Sequence, residues 1–139
     1  MILVVEDDPF KLSQIESFLS SELSSKDYKC ARSVNSARKR LSEDSYTLVI
    51  LDMSLPTYDI TANEPGGRPQ NYGGKELLRY MYRKKLKIKT VLLTQYEEFI
   101  AEGVGDAMGE KYSDTFCGII YFDTERNWEQ KLMNMVAEA

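Results

Sequence analysis

Two runs of four apolar residues, Ile2–Val5 and Leu48–Leu51, each stop at acids: Glu6-Asp7-Asp8 after the first and Asp52 after the second. Both runs are continuous rather than alternating. A strand of that kind needs cover on both faces, which points to a parallel sheet between two layers of helices.

The rest of the chain supplies those layers. Asp8-Pro9 offers a capping residue and a proline for the first helical position. Leu12, Ile15, Leu19 and Leu23 then recur at helical spacing. A second strand is expected over Tyr28–Arg32 and a short helix over Asn35–Leu41. Leu55–Gly74 is rich in Pro, Gly, Asn and Thr, has no period, and reads as a loop. Its Gly66-Gly67 and Gly73-Gly74 pairs read as turns, since no Gly-Lys-Ser/Thr closes a phosphate loop. A helix over Lys75–Lys85 carries Leu77, Leu78 and Met81, and a fourth strand, Val91–Leu93, ends at Thr94. Glu97–Ala101 is helical, and Gly103, Gly105 and Gly109 weaken any helix beyond it. Gly118–Phe122 is the fifth strand. The last helix, capped near Asp123-Thr124, turns Trp128, Leu132, Met135 and Val136 inward.

Five strands thus alternate with five helical segments. Right-handed crossovers then favour an α/β, flavodoxin-like, doubly wound five-stranded parallel sheet. Its strand order is 2-1-3-4-5, with two helices on one face and three on the other, and residues 1–139 form one domain. Cys30 and Cys117 fall near opposite edges, too far apart for a disulfide. Apolar residues at 42% and charged residues at 29% suit a globular protein. No apolar run approaches the roughly 20 residues that span a bilayer, and the amino terminus turns acidic too early for a signal peptide. We expect a cytoplasmic protein that does not bind membranes. The net charge of −4 disfavours nucleic acid as a partner. The basic stretch Arg79–Lys89 reads as a complement to the C-terminal dipole of the third helix, with Tyr80 or Tyr82 packing.

In an open sheet of this order, ligands bind beyond the carboxyl ends of the strands, where the winding reverses. The polar residues there are Glu6, Asp7 and Asp8, Asp52, and Thr94. Asp8 is assigned to the helix cap. Carboxylates from adjacent strands converging on one volume repel each other unless a cation intervenes. The chain has no histidine, which removes histidine-based nucleophile pairs and His-ligated zinc. An oxygen-only site suits a hard cation such as Mg²⁺.

Val4-Val5-Glu6-Asp7-Asp8-Pro9 and Leu51-Asp52-Met53-Ser54-Leu55-Pro56, followed by a strand ending in Thr94, resemble the receiver domain of two-component response regulators, the CheY-like family. Ala37, Leu41 and Gly74-Lys75-Glu76-Leu77-Leu78 extend the resemblance over nearly the whole chain. It implies a signalling module rather than an enzyme, one that at most catalyses its own phosphorylation and dephosphorylation. Asp52 would be the phosphoacceptor. Asp7, Asp52 and the Ser54 carbonyl would bind Mg²⁺, with Glu6 acting through a water. The Met53 and Gln95 backbone N–H groups and the Thr94 hydroxyl would hold the phosphoryl group. The implied partners are a sensor histidine kinase or phosphotransfer protein upstream and a partner protein downstream. The alternative is a pseudo-receiver, a protein-binding module that phosphorylation does not switch.

The chain departs from the family in two places. Ordinary receivers carry a Lys at the end of the fifth strand; here Phe122 falls at that position, a shift of one residue gives Tyr121 or Asp123 instead, and the aromatic residue that partners the Thr would fall at Ile119. Arg68, Lys75 or Lys111 could supply the charge, but the spacing selects none of them. Without a fixed ammonium, at least one pocket carboxyl is expected to have a raised pKa, and coupling from Asp52 to the fifth strand and last helix weakens. The loop after Pro56 is also longer than the family's pattern by roughly a dozen residues. Residues Thr57–Tyr72 are expected over or beside the acidic pocket, as a partner surface or lid.

Overall fold

The first apolar run forms β1 (Ile2–Val5), with every residue buried. The chain then builds α1 (Pro9–Glu22), β2 (Tyr28–Ala31), α2 (Val34–Glu43) and β3 (Leu48–Leu51). Beyond these come β4 (Leu55–Pro56), β5 (Pro69–Gln70), α3 (Gly73–Arg83), β6 (Lys89–Thr94), α4 (Glu97–Ala101), α5 (Val104–Lys111), β7 (Phe116–Tyr121) and α6 (Asn127–Glu138). The structure is a computed structural model that describes residues 1–22, 27–59, 69–70, 73–123, 125 and 127–138.

Five strands form one parallel sheet in the order β2-β1-β3-β6-β7. Counted along that sheet alone, this is the expected 2-1-3-4-5 order. Pleating sends alternate residues to opposite faces, and two cores result. Leu3 and Val5 of β1 join the core under α2, α3, α4 and α5, with Ala37, Leu41, Leu77, Met81, Phe99 and Met108. Ile2 and Val4 join the core under α1 and α6, with Ile15, Phe18, Leu19, Trp128 and Leu132. The second face therefore carries two helices, as expected. The first carries four rather than three, because the segment after β6 breaks at Gly103, whose φ of 77° is left-handed.

Two further expectations need correction. The stretch read as one irregular loop contains an antiparallel pair, Leu55 with Gln70 and Pro56 with Pro69. Gly73 and Gly74 open α3 rather than form a turn. A Cβ on Gly73 would stand 2.6 Å from the Leu55 carbonyl oxygen, and one on Gly74 would overlap the Asp52 carbonyl and lie 2.9 Å from Met53 Cα. These glycines let the start of α3 lie directly on the segment that carries Asp52. Both cysteines are free, Cys30 on edge strand β2 and Cys117 on edge strand β7.

Candidate functional site

The register Val5↔Leu51 places the ends of β1 and β3 side by side, and the ladder continues through the Asp52 N–H to the Val5 carbonyl at 3.0 Å. Glu6 and Asp52 therefore leave the sheet as neighbours. Both are buried, with 2% and 5% of their surface exposed.

Between them lies a residue that sequence reasoning misses. Lys11 is completely buried. Its Nζ stands 2.6 Å from Glu6 Oε1 and 3.2 Å from Asp52 Oδ1, and donates to the Leu93 carbonyl at 2.5 Å. The expectation that the pocket lacks a fixed ammonium is thus overturned: the charge comes from the first turn of α1. The signal is in the sequence, since Lys11 precedes Ile15 by four residues and Phe18 by seven, which puts it on the buried stripe of the helix.

Asp8 fixes the helix start. Its Oδ1 accepts from the Phe10 N–H at 2.9 Å, as the capping reading expects, and the next turn brings Lys11 inward. Of the substitutes named from the sequence, Lys75 and Lys111 are exposed, and Arg68 lies outside the described residues.

Glu6 is fully engaged. Oε1 meets Lys11, and Oε2 accepts from the Asp7 and Asp8 N–H groups at 3.0 and 3.1 Å. Burial pushes its carboxyl from 4.5 up to about 7, against the pull of Lys11 and with a further push from Asp52. Burial likewise raises Asp52, while Lys11 and the Met53 and Ser54 amides oppose the shift. The raised values expected for the pocket are present, and desolvation is their leading cause.

Asp7 lies to the outside of this group. The Arg32 Nη2 donates to its carbonyl at 3.1 Å and stands 3.9 Å from its Oδ1. Burial raises its carboxyl, Arg32 lowers it, and nearby Asp59 raises it. Thr94 is buried at the end of β6, and its hydroxyl accepts from the Tyr96 N–H at 3.1 Å. Met53 is buried, Ser54 half-buried and Gln95 exposed.

Phe122, the residue just past β7, donates its N–H to the Thr94 carbonyl at 2.7 Å. Its ring lies under the Lys11 ammonium, 5.7 Å from Nζ, and 5.2 Å from the Trp128 ring. Through these two contacts the pocket touches α6. Ile119 pairs with Leu92 inside the sheet.

The part of the long loop that is described leaves Pro56 toward α2. The Thr57 carbonyl accepts from the Asn35 N–H at 3.0 Å, and Asp59 Oδ1 accepts from the Ser33 hydroxyl at 2.6 Å. Asp59 is also close enough to raise Asp7, so the base of the loop stands beside the pocket. Residues 60–68 and 71–72 of this expectation lie outside the described residues.

Among the described residues, no three Asp, Glu, Cys or His side chains close on a common point suited to a metal. The fit of Mg²⁺ rests on a smaller observation. Glu6 Oε1, Asp7 Oδ1 and Asp52 Oδ1 are buried carboxylate oxygens whose near partner is the cation of an ion pair, Lys11 for Glu6 and Asp52 and Arg32 for Asp7. Carboxylate oxygens of this kind, all hard donors, suit a hard cation that keeps several waters.

A parallel 2-1-3-4-5 sheet with acids beyond its first and third strands and a buried Thr beyond the fourth defines a receiver-type signalling module. The comparisons agree. The chain is 31% identical to the Detocs response regulatory protein DtcB of Vibrio alginolyticus over 98% of this chain and 99% of that protein. It superposes on the response regulator TrrA of Thermotoga maritima, crystallised in complex with Mg²⁺-BeF, with a TM-score of 0.65, 22% identity and 96% coverage of both chains. A CheY-like receiver domain protein from Methanospirillum hungatei gives a TM-score of 0.67 at 17% identity, covering 99% of this chain and 90% of that one. No protein-family model matches the chain. The chain belongs to the response-regulator receiver family of two-component signalling. Among the described residues no helix is long and apolar enough to cross a membrane.

Proposed function

We propose that residues 1–139 act as one phosphoacceptor receiver domain in the cytoplasm, with Asp52 as the acceptor. A carboxylate oxygen of Asp52 attacks the phosphorus of a phosphohistidine on a kinase or phosphotransfer protein. The O–P bond forms, the N–P bond breaks, and the imidazole leaves. Asp7, Asp52 and the Ser54 carbonyl would hold Mg²⁺, which when bound neutralises charge on the transferring oxygens. Glu6 acts from behind, by fixing Lys11. The Met53 and Gln95 N–H groups and the Thr94 hydroxyl receive the phosphoryl oxygens, and the phosphorylated domain signals by binding a partner protein.

The observation that carries this reading is the ammonium of Lys11 at Asp52. It fills the charge requirement that the missing fifth-strand Lys left open. The pseudo-receiver reading draws support from the burial of Asp52 behind the same ion pair. One experiment separates the two. With Mg²⁺ and acetyl phosphate, the intact mass should rise by one phosphoryl group in the wild type and stay constant in Asp52→Asn. No gain in the wild type would decide for the pseudo-receiver.

A further inference from the structure

We propose that Lys11 is the cation that pairs with a phosphoryl group on Asp52, so that the role usually held at the end of the fifth strand has moved to the first turn of α1. The inference rests on the phosphoacceptor reading and deepens it, giving Lys11 a direct contact with the phosphoryl group.

Three features place Lys11 there for more than charge balance. First, a lysine in the opening turn of a helix faces the positive end of the helix dipole, and a completely buried one loses its hydration as well. A purely structural position would more readily take Leu or Met. Second, Nζ touches both acids at the strand ends and the Leu93 carbonyl, one residue before Thr94. It thereby spans the rim between β1, β3 and β6, where a phosphoryl group on Asp52 would sit. Third, Phe122 stands directly beneath Nζ. The ring occupies the place from which a fifth-strand Lys would reach, so the two positions have exchanged an ammonium for an apolar group. On phosphorylation, the contact that strengthens lies on α1, and the change reaches that helix first.

The test compares the wild-type chain, Lys11→Met and Lys11→Met/Phe122→Lys. Each is titrated with Mg²⁺ alone, monitored by amide shifts at Asp52 and Met53. Each is then titrated with beryllofluoride in the presence of Mg²⁺, monitored by ¹⁹F NMR. Removing the ammonium should tighten Mg²⁺ by about threefold or more and weaken beryllofluoride by about tenfold or more, because the cation and the anion feel the lost charge with opposite sign. Returning an ammonium from position 122 should bring beryllofluoride affinity back to within about threefold of wild type. Should Lys11→Met fail to fold, Lys11→Met/Glu6→Gln removes one charge of each sign and is compared with Glu6→Gln alone.

A structural role for Lys11 would weaken both ligands together. That outcome overturns the proposal, as does a Lys11→Met protein that keeps wild-type beryllofluoride affinity, or a double variant no better than the single one. A wild type that takes neither beryllofluoride nor a phosphoryl group overturns the phosphoacceptor reading and this proposal with it. A wild type that takes both, beside an unchanged Lys11→Met, overturns this proposal alone.

Discussion

The ammonium of Lys11 lies 5.7 Å from the ring centre of Phe122, which joins the first turn of α1 to the residue just past β7. These two segments lie far apart in sequence, so the contact helps close the face that α1 and α6 cover. A cation over an aromatic ring is worth roughly 0.5–1 kcal/mol at exposed sites and about 2 kcal/mol when desolvated. Phe122→Leu keeps most of the apolar volume and loses the ring, and should lower the unfolding free energy by about that amount. Urea unfolding measures it. An unchanged midpoint would show that only the bulk at position 122 counts.

Gly74 provides a second test, this time of the opposite face. Its missing Cβ makes room for the Asp52 carbonyl, and its N–H donates to the Met53 carbonyl at 2.8 Å. Gly74→Ala should therefore displace the acceptor segment. A cost of about 1–3 kcal/mol is expected, in the range of other overpacked sites. The diagnostic readout is the amide spectrum: shifts should centre on Asp52, Met53 and Ser54. Full stability together with an unmoved Asp52 would contradict the close approach.

The same physics decides which elements the sequence discloses and which it hides. The central strands β1 and β3 are legible because full burial writes itself as uninterrupted apolar runs, and the acids that end them mark the pocket directly. Lys11 is not legible when residues are sorted by polarity, since Lys is ordinarily a solvent-facing residue. Only its position on the stripe of Ile15 and Phe18 betrays it. The β4–β5 pair leaves no periodic trace, because each strand has two residues and one is proline in both. Gly73 and Gly74 mislead because glycine marks both conformational freedom and closeness, and sequence does not say which.

The pocket also sets a pH dependence. Glu6 is raised from 4.5 to about 7 in the folded protein, so between those values the folded state binds more protons than the unfolded one. Stability then falls as pH rises through this window. Asp7 and Asp52, also raised, act with the same sign. The urea midpoint of the metal-free protein should be higher near about pH 5 than near about pH 7.5, and Glu6→Gln should flatten the difference. A slope unaffected by that substitution would mean that Glu6 is not the group responsible.

Ser33 ties the base of the long loop to the start of α2. Its hydroxyl accepts from the Ser36 N–H at 3.0 Å as part of a capping box and donates to Asp59 Oδ1 at 2.6 Å. Ser33→Ala should cost about 1 kcal/mol through the lost cap. Asp59→Ala should spare the cap yet speed hydrogen exchange at the Asn35 amide, which donates to Thr57. Exchange at the wild-type rate in Asp59→Ala would show that the loop base is held by its backbone alone.

The chain contains one tryptophan, Trp128, and it is 1% exposed, wedged between Phe18 at 5.5 Å and Phe122 at 5.2 Å. A lone indole shielded from water emits at short wavelength, and here its neighbour Phe122 lies under the very ammonium that faces Asp52. The protein therefore carries its own optical gauge. A shift of Lys11 toward a new anion changes the field and packing around that ring, and the intrinsic emission records it with no label attached.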